Sequence, residues 1–461
     1  MTGITLRPYQ NQAVADARAA IRSGRRRLLL RAPTGAGKTL VACAIIKSAV
    51  ERGSRVIFVA HRKELIDQAS RKLDQFGIDH GVIMASHWRK RPQEQVQVAS
   101  IQTLARRELP QADLVIIDEA HLSLAKSYLD VLEALPRAVV LGLTATPIRA
   151  DGKPLGAVYR DIVSVSDVAQ LIRAGFLVRP RHYAPERPDL TKIGLKGADY
   201  DERELSVAVD KPDLVGNIVK HWGTIAGGRT TAVFAVNIAH SKHIVAQFLG
   251  AGIRAEHVDG TTPRHQRDAI LARFASGETT VVSNVGVFTE GYDNPRISAV
   301  ILARPTLSLA LYLQMAGRGL RPDDHKADCI ILDHAGCCHA HGFIDDAREW
   351  SLEGKKKRSA TKREAPVTVC GNCFASFPAN RRECPECGHV REREERPEVV
   401  ADESQGLQEI TEAEKIRMAR ARRREEASAE TLQDLLNLAR QRGYKAGWAY
   451  RRMEARAKRH A

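Results

Sequence analysis

Four groups of residues in this sequence have the types and spacing that chemistry requires. The first, Ala32-Pro33-Thr34-Gly35-Ala36-Gly37-Lys38-Thr39, follows a short apolar run and opens a helical-period stretch at Leu40. Its glycines let backbone amides turn inward around a phosphate, Lys38 can reach the outer phosphates, and the Thr39 hydroxyl is a ligand for Mg²⁺. The strict phosphate-loop pattern has glycine where Ala32 stands, so this loop is a variant. The second group, Asp118-Glu119-Ala120-His121, comes directly after the apolar run Leu114 to Ile117. A strand end delivers carboxylates to the sheet edge where ligands bind, so Asp118 suits Mg²⁺ and Glu119 suits orienting or deprotonating a water. The third, Gln314-Met315-Ala316-Gly317-Arg318-Gly319-Leu320-Arg321-Pro322, sets Arg318 and Arg321 three apart, on one helix face and able to reach a transferring phosphate together. The fourth is Cys370-Gly371-Asn372-Cys373 with Cys384-Pro385-Glu386-Cys387-Gly388, two tight turns that each offer two thiolates. Two such turns complete a closed tetrahedral site for structural Zn²⁺; iron in a rubredoxin-like site stays open.

These side chains need rigid elements behind them. Apolar runs at Arg27 to Leu30, Val56 to Ala60, Val96 to Ser100, Leu114 to Asp118 and Val139 to Thr144 alternate with helical-period stretches, the pattern of parallel strands covered on both faces. It returns at Thr231 to Phe234, Ala255 to Val258, Thr280 to Ser283, Ala299 to Ala303 and Cys329 to Leu332, which predicts a second doubly wound α/β domain. The expected layout is a nucleotide-binding α/β domain over 1–150, a connector over 151–210 and a second α/β domain over 211–335. A basic linker over 336–368, a four-cysteine zinc module over 369–391 and a basic helical tail over 392–461 complete it. In the tail, Leu432, Leu435, Leu436 and Ala439 share a helix face, and Arg442 to Ala461 holds seven Lys or Arg and one Glu. Trp448, Tyr450, Arg451 and Arg452 mix aromatic and basic groups, which suits nucleic-acid contact or helix packing.

Among 461 residues, 71 Lys and Arg face 55 Asp and Glu, a formal charge of +16 that calls for a polyanionic partner. No apolar run nears the roughly 18 residues of a membrane span, and the first residues lack a secretory layout, so the expectation is a cytoplasmic chain with reduced thiols. The Gly336-Cys337-Cys338-His339-Ala340-His341 run reads as packing rather than a second metal site. Asp345, Glu353 and Lys355 lack the strand context of a nuclease site.

In order along residues 4 to 335, these motifs resemble those of the superfamily 2 helicases and translocases. Leu6-Arg7-Pro8-Tyr9-Gln10 is similar to the family's adenine-recognising segment, which implies Arg7 and Gln10 beside the base. Val59-Ala60-His61-Arg62-Lys63-Glu64-Leu65 and Ser100-Ile101-Gln102-Thr103-Leu104 resemble strand-contacting motifs, implying nucleic-acid contact by His61, Arg62, Gln102 and Thr103. Thr144-Ala145-Thr146-Pro147 resembles the motif linking ATP state to domain movement. Val258-Asp259-Gly260 and Thr289-Glu290-Gly291-Tyr292-Asp293 resemble second-domain motifs, implying a strand contact at Thr289 and a ribose contact at Asp293. The Asp-Glu-Ala-His box with the cysteine module is most similar to the RadD group of bacterial DNA repair helicases and related phage helicases.

The resemblance implies two tandem RecA-like domains with ATP and Mg²⁺ between them, bound by Arg7, Gln10, Thr34, Gly35, Ala36, Gly37, Lys38, Thr39 and Asp293. Lys38, Asp118, Glu119, Gln314, Arg318 and Arg321 would carry catalysis, and Zn²⁺ would sit in the cysteine module. Single-stranded, forked or branched DNA is the implied partner, in repair, recombination or replication at the nucleoid. A protein partner could dock through the zinc module or tail. RNA as substrate, and a binding protein whose ATP cycle only switches affinity, stay open as alternatives.

Overall fold

Residues 4–85, 87–148, 154–184, 190, 191, 193–289, 291–353 and 367–391, with scattered positions between 424 and 453, are described by the structure, a computed structural model. Residues 354–366 of the expected basic linker, with Lys355, and Trp448, Tyr450 and Arg451 of the tail lie outside the described residues.

The first half forms α1 (Pro8–Arg22), β1 (Arg27–Arg31), α2 (Lys38–Val50), β2 (Val56–Ala60), α3 (Lys63–Gln75), β3 (Gly81–Ile83) and β4 (Val96–Ser100). It continues with α4 (Ile101–Leu104), β5 (Leu114–Ile117), α5 (Lys126–Ala134), β6 (Val139–Thr144) and β7 (Asp161–Ser164). All seven strands pair in parallel, in the order β3-β4-β2-β5-β6-β1-β7. Side chains alternate across the pleat. Val56, Phe58 and Ala60 join α2 and α3 in one cluster, while Ile57 and Val59 join Tyr128, Val131 and Leu132 of α5 in the other. Both faces are therefore covered, which is why the strands read as continuous apolar runs.

After α6 (Val168–Arg173) come β8 (Arg179–Tyr183), the short pair β9 (Leu195–Lys196) and β10 (Asp199–Tyr200), α7 (Glu202–Val209) and α8 (Pro212–Ile225). The second sheet is completed by β11 (Thr231–Phe234), α9 (Ile238–Gly250), β12 (Ala255–Val258), α10 (Arg264–Ser276), β13 (Val281–Asn284), β14 (Ala299–Leu302), α11 (Leu309–Gly317) and β15 (Asp328–Asp333). Its order is β12-β13-β11-β14-β15-β8, again all parallel. Among the described residues no helix is long and apolar enough to cross a membrane.

The structure corrects the expected connector at 151–210. β7 is an edge strand of the first sheet, with Leu29 opposite Ile162, and β8 is an edge strand of the second, with Ile330 opposite Arg181. The polar composition that suggested a connector belongs to edge strands, where charged residues and Pro180 are tolerated.

The start of the expected linker is also structured. α12 (Cys337–His341) is capped by the Asp333 carboxylate, which accepts from Ala335 N, Cys337 N and Cys338 N. Cys337 and Cys338 are buried in packing. The chain then returns to the first half: Trp350 lies under the Arg31 guanidinium at 5.2 Å, and Leu352 O accepts from Gly156 N at 2.9 Å.

The cysteine module contains β16 (Val367–Val369) and β17 (Ser376–Pro378), paired antiparallel. It is docked on the second half. Tyr183 at the end of β8 bridges Ala375, Arg179 and Arg181 pair with Glu386 at 2.8 and 2.7 Å, and Phe377 shares a core with Trp222. In the separate unit from Glu392 onward, a helix at Leu432–Gln441 buries Leu435 with Ala429 and Ala449.

Candidate functional site

The phosphate loop runs from the end of β1 to the start of α2. Gly35 and Gly37 have φ of +87° and +78°, a left-handed conformation that glycine adopts without steric cost. Ala32 still belongs to the strand ladder, donating to Thr144 O at 2.9 Å, and is fully buried. A side chain at this position therefore leaves the turn undisturbed. Gln10 braces the loop from outside: its Nε2 donates to Ala36 O at 3.0 Å and its Oε1 accepts from Arg7 N at 3.0 Å. Both ends of the amide expected to read adenine are thus engaged with the chain itself. Arg7 lies over the Phe176 ring at 4.7 Å, and Tyr9 donates to Ala36 O at 3.2 Å.

Lys38, the first residue of α2, hydrogen-bonds Glu119 and lies 3.4 Å from Asp118 Oδ1. Burial alone would lower the lysine pKa, but the two carboxylates outweigh it and raise the value. Burial pushes Asp118 up. For Glu119 burial acts in the same direction, yet Lys38 and His121 prevail and hold its carboxyl well below the usual range. Glu119 has φ of +49°, in the left-handed region, a strain of roughly 1–3 kcal/mol for a non-glycine residue. That turn leads the chain from β5 into a 3-10 turn at Ala120–Leu122. The Asp118 carboxylate and the Thr39 hydroxyl line one cleft and are hard oxygen donors, a set that fits Mg²⁺ sharing its other positions with phosphate and water.

The opposite wall comes from the second half. The cleft holds about 340 Å³, and Gln314, Arg318, Arg321 and Asp293 face the loop across it. Arg318 donates to Tyr292 O at 2.7 Å and to Thr289 O at 2.5 Å. Arg321 pairs with Asp293, and burial pushes its pKa down to about 10, still cationic at neutral pH. The walls touch: a β-carbon added to Gly317 would lie 2.8 Å from Thr34 Cβ, and one on Gly35 would lie 3.3 Å from Arg321 Cγ. Phe176, under Arg7, and Leu177, 3.0 Å from where a β-carbon on Gly35 would stand, were not expected beside the phosphate loop; an isolated apolar pair between charged segments carries no motif.

The residues expected on nucleic acid lie at or after the carboxyl ends of β2, β4 and β13. Gln102 Nε2 donates to His61 O at 3.0 Å, joining two motifs, while Arg62 Nη1 reaches Gly286 O at 3.3 Å in the second half. Thr289 Oγ1 donates to the same Gly286 carbonyl at 3.2 Å, and Thr103 lies on α4 beside Gln102.

Cys370, Cys373, Cys384 and Cys387 bring their Sγ atoms within 4.8 Å of one another. The Cys370–Cys387 and Cys373–Cys384 separations are both 3.6 Å. Four thiolates about 2.3 Å from one Zn²⁺ in a tetrahedron stand about 3.8 Å apart, so the geometry fits the ion. Hydrogen bonds from the backbone at His389 lower the Cys387 thiol to about 6.

Residues 3–149 match the family described as "Type III restriction enzyme, res subunit", and residues 210–323 match the helicase conserved C-terminal domain. A 51.5 kDa protein of a Lactococcus phage is 32% identical over 85% of this chain and 83% of its own length. A Saccharomyces cerevisiae protein named as the ATP-dependent helicase IRC3 is also 32% identical, over 72% of this chain, which spans only 51% of that relative. The DNA 3'-5' translocase XPB2 of Sulfurisphaera tokodaii is 27% identical over 71% of this chain and 81% of its own length. The chain belongs to the superfamily 2 helicases, the ATP-hydrolysing DNA helicases and translocases built on two tandem RecA-like domains.

Proposed function

We propose that the chain is a RadD-like DNA motor, working through closure of its two RecA-like domains on ATP to unwind or remodel single-stranded, forked or branched DNA. The observation that carries this reading is the meeting of Gly317 and Arg321 with Thr34 and Gly35, residues of opposite halves at the phosphate loop. When triphosphate enters, its charge competes with Glu119 and Asp118 for Lys38. Loss of that partner lets the Glu119 pKa rise from its depressed value, so the carboxylate gains affinity for the proton of an attacking water. Asp118 and Thr39 would hold Mg²⁺, which would neutralise phosphate charge. Arg318 and Arg321 would complete the site from the second domain, a contribution of roughly 10³ to 10⁵ in rate for a finger contact. Asp293 would exchange its Arg321 partner for the ribose, and Arg7 and Gln10 would frame the base.

His61, Arg62, Gln102, Thr103 and Thr289 would follow the strand, since they lie on the loops that move with the cleft. The four cysteines would bind Zn²⁺ as a structural ion of a ribbon-like module that could also receive a protein partner. The test is ATPase rate with single strand, duplex, fork, four-way junction and RNA at fixed ionic strength, alongside displacement of a labelled strand or a triplex-forming strand. Stimulation by forked DNA with displacement is expected. Hydrolysis without any displacement would favour an affinity switch, and stimulation by RNA alone would overturn the DNA assignment.

A further inference from the structure

We propose a second phosphate site, at the amino edge of the first sheet, that takes a polyanion of nucleotide size. A hollow of about 700 Å³ opens there beside the ends of α1 and α2 and the starts of β5 and β6. Arg18, Arg22, Arg26, Arg52 and Arg137 ring it. Its floor is aliphatic, formed by Ile21, Ile45, Leu114 and Val139. The cleft of Lys38 lies at the other end of the strands, so the two sites do not share residues.

The charge in the hollow is not balanced from within. Asp113 is the single acid in its lining, and Asp113 Oδ2 already accepts from Arg55 N at 2.8 Å. Among the described residues, Arg18, Arg22, Arg52 and Arg137 form no ion pair, and Arg18 Nε is buried without a hydrogen-bond acceptor. Arg18 and Arg22 are also four apart on α1, where like charges stand one above the other and repel. Arg26 Nη1 donates to Arg137 O at 2.5 Å, which draws another cation towards the same rim.

Concave low-dielectric walls lined with one sign of charge concentrate the opposite ion, and guanidinium groups match phosphate oxygens in pairs. A phosphate chain would satisfy the arginine ring while an attached nucleoside covers the aliphatic floor. A free nucleoside triphosphate and the end of a DNA strand both carry that chemistry. None of the five arginines belongs to the helicase motifs, so the hollow stands apart from the proposed motor function.

The experiment is calorimetric titration of the full chain with inorganic tripolyphosphate, repeated in the presence of a short single-stranded oligonucleotide. The proteins are the natural chain, Lys38→Ala, and the triple variant Arg18→Gln/Arg22→Gln/Arg52→Gln. Tripolyphosphate should still bind Lys38→Ala and should bind the triple variant at least tenfold more weakly at this second site. Arg52→Gln alone, at an exposed position, should weaken binding several-fold should the triple variant fold poorly. Competition by the oligonucleotide would identify a strand end as the source, and its absence a free nucleotide; either supports the site. Equal affinity in the natural chain and the arginine variants, or binding abolished by Lys38→Ala alone, would overturn it.

Discussion

Gly317 closes α11 against Thr34, and replacing it with alanine separates two effects that are usually entangled. The added methyl would stand 2.8 Å from Thr34 Cβ, 3.2 Å from Cγ2 and 3.3 Å from Oγ1. Carbon atoms rest at roughly 3.5–4.0 Å, so the walls of the cleft must part by about 1 Å. A misplacement of that size at a reacting centre can cost about 100-fold in rate. Within the helix the same change is favourable, because alanine is preferred over glycine by roughly 0.5–1 kcal/mol. Gly317→Ala should therefore keep or slightly raise the melting temperature while lowering kcat for DNA-stimulated ATP hydrolysis about 10- to 100-fold. Steady-state ATPase at saturating DNA and thermal melting read the two effects separately. Thr34→Gly in the same chain removes the carbon that the methyl meets and should restore part of the rate. Undiminished kcat in Gly317→Ala would show that hydrolysis does not need the halves this close.

Further outcomes follow from the same geometry. Lys38→Ala and Glu119→Gln should abolish turnover, whereas Arg318→Ala should bind nucleotide yet hydrolyse it roughly 10³-fold more slowly; nucleotide binding and rate measured together check this. Arg62→Ala should weaken single-stranded DNA binding and reduce the slope of log affinity against log salt by about 0.7, as loss of one phosphate contact requires. Burial, helped by Arg348 and His221 respectively, lowers His182 and His334 to about 3. Their unfolded forms take up protons below about 6.5 while the folded forms do not, so stability declines as the pH is lowered, by about 3 kcal/mol for the pair near pH 5.5. Melting curves at pH 7 and 5.5 test this, with His182→Gln expected to remove about half the difference. One zinc per chain should be found by metal analysis. Because the module shares a core with Trp222 and Tyr183, chelation should lower the melting temperature of the second domain as well.

Nine of the ten expected runs formed central strands and were legible because burial on both faces leaves little choice of residue; the tenth, Ala255–Val258, is an edge strand that kept its apolar ends. β3, β7 and β8 escaped notice for the converse reason: Asp161–Ser164 and Arg179–Tyr183 lie at sheet edges and carry charge or proline. The loop glycines, Lys38 and the carboxylates after β5 announce themselves because phosphate chemistry fixes both residue type and position. The pairings around them do not. Nothing in the order of residues tells that Gln10 is tied to Ala36, that Arg321 meets Asp293, or that Arg318 is held by two carbonyls 26 and 29 positions away, since these depend on how separate elements pack. The docking of the cysteine turns on β8 was hidden in the same way.

The return of Trp350 and Leu352 to the first sheet means that the chain passes between the halves before β8 and again after α12, and the cysteine module that follows lies against the second half once more. Each such passage is a fastening that limits how far one half can slide or twist against the other. Removing the Trp350 ring from Arg31 would loosen one of these fastenings without touching the phosphate loop or the arginines that face it.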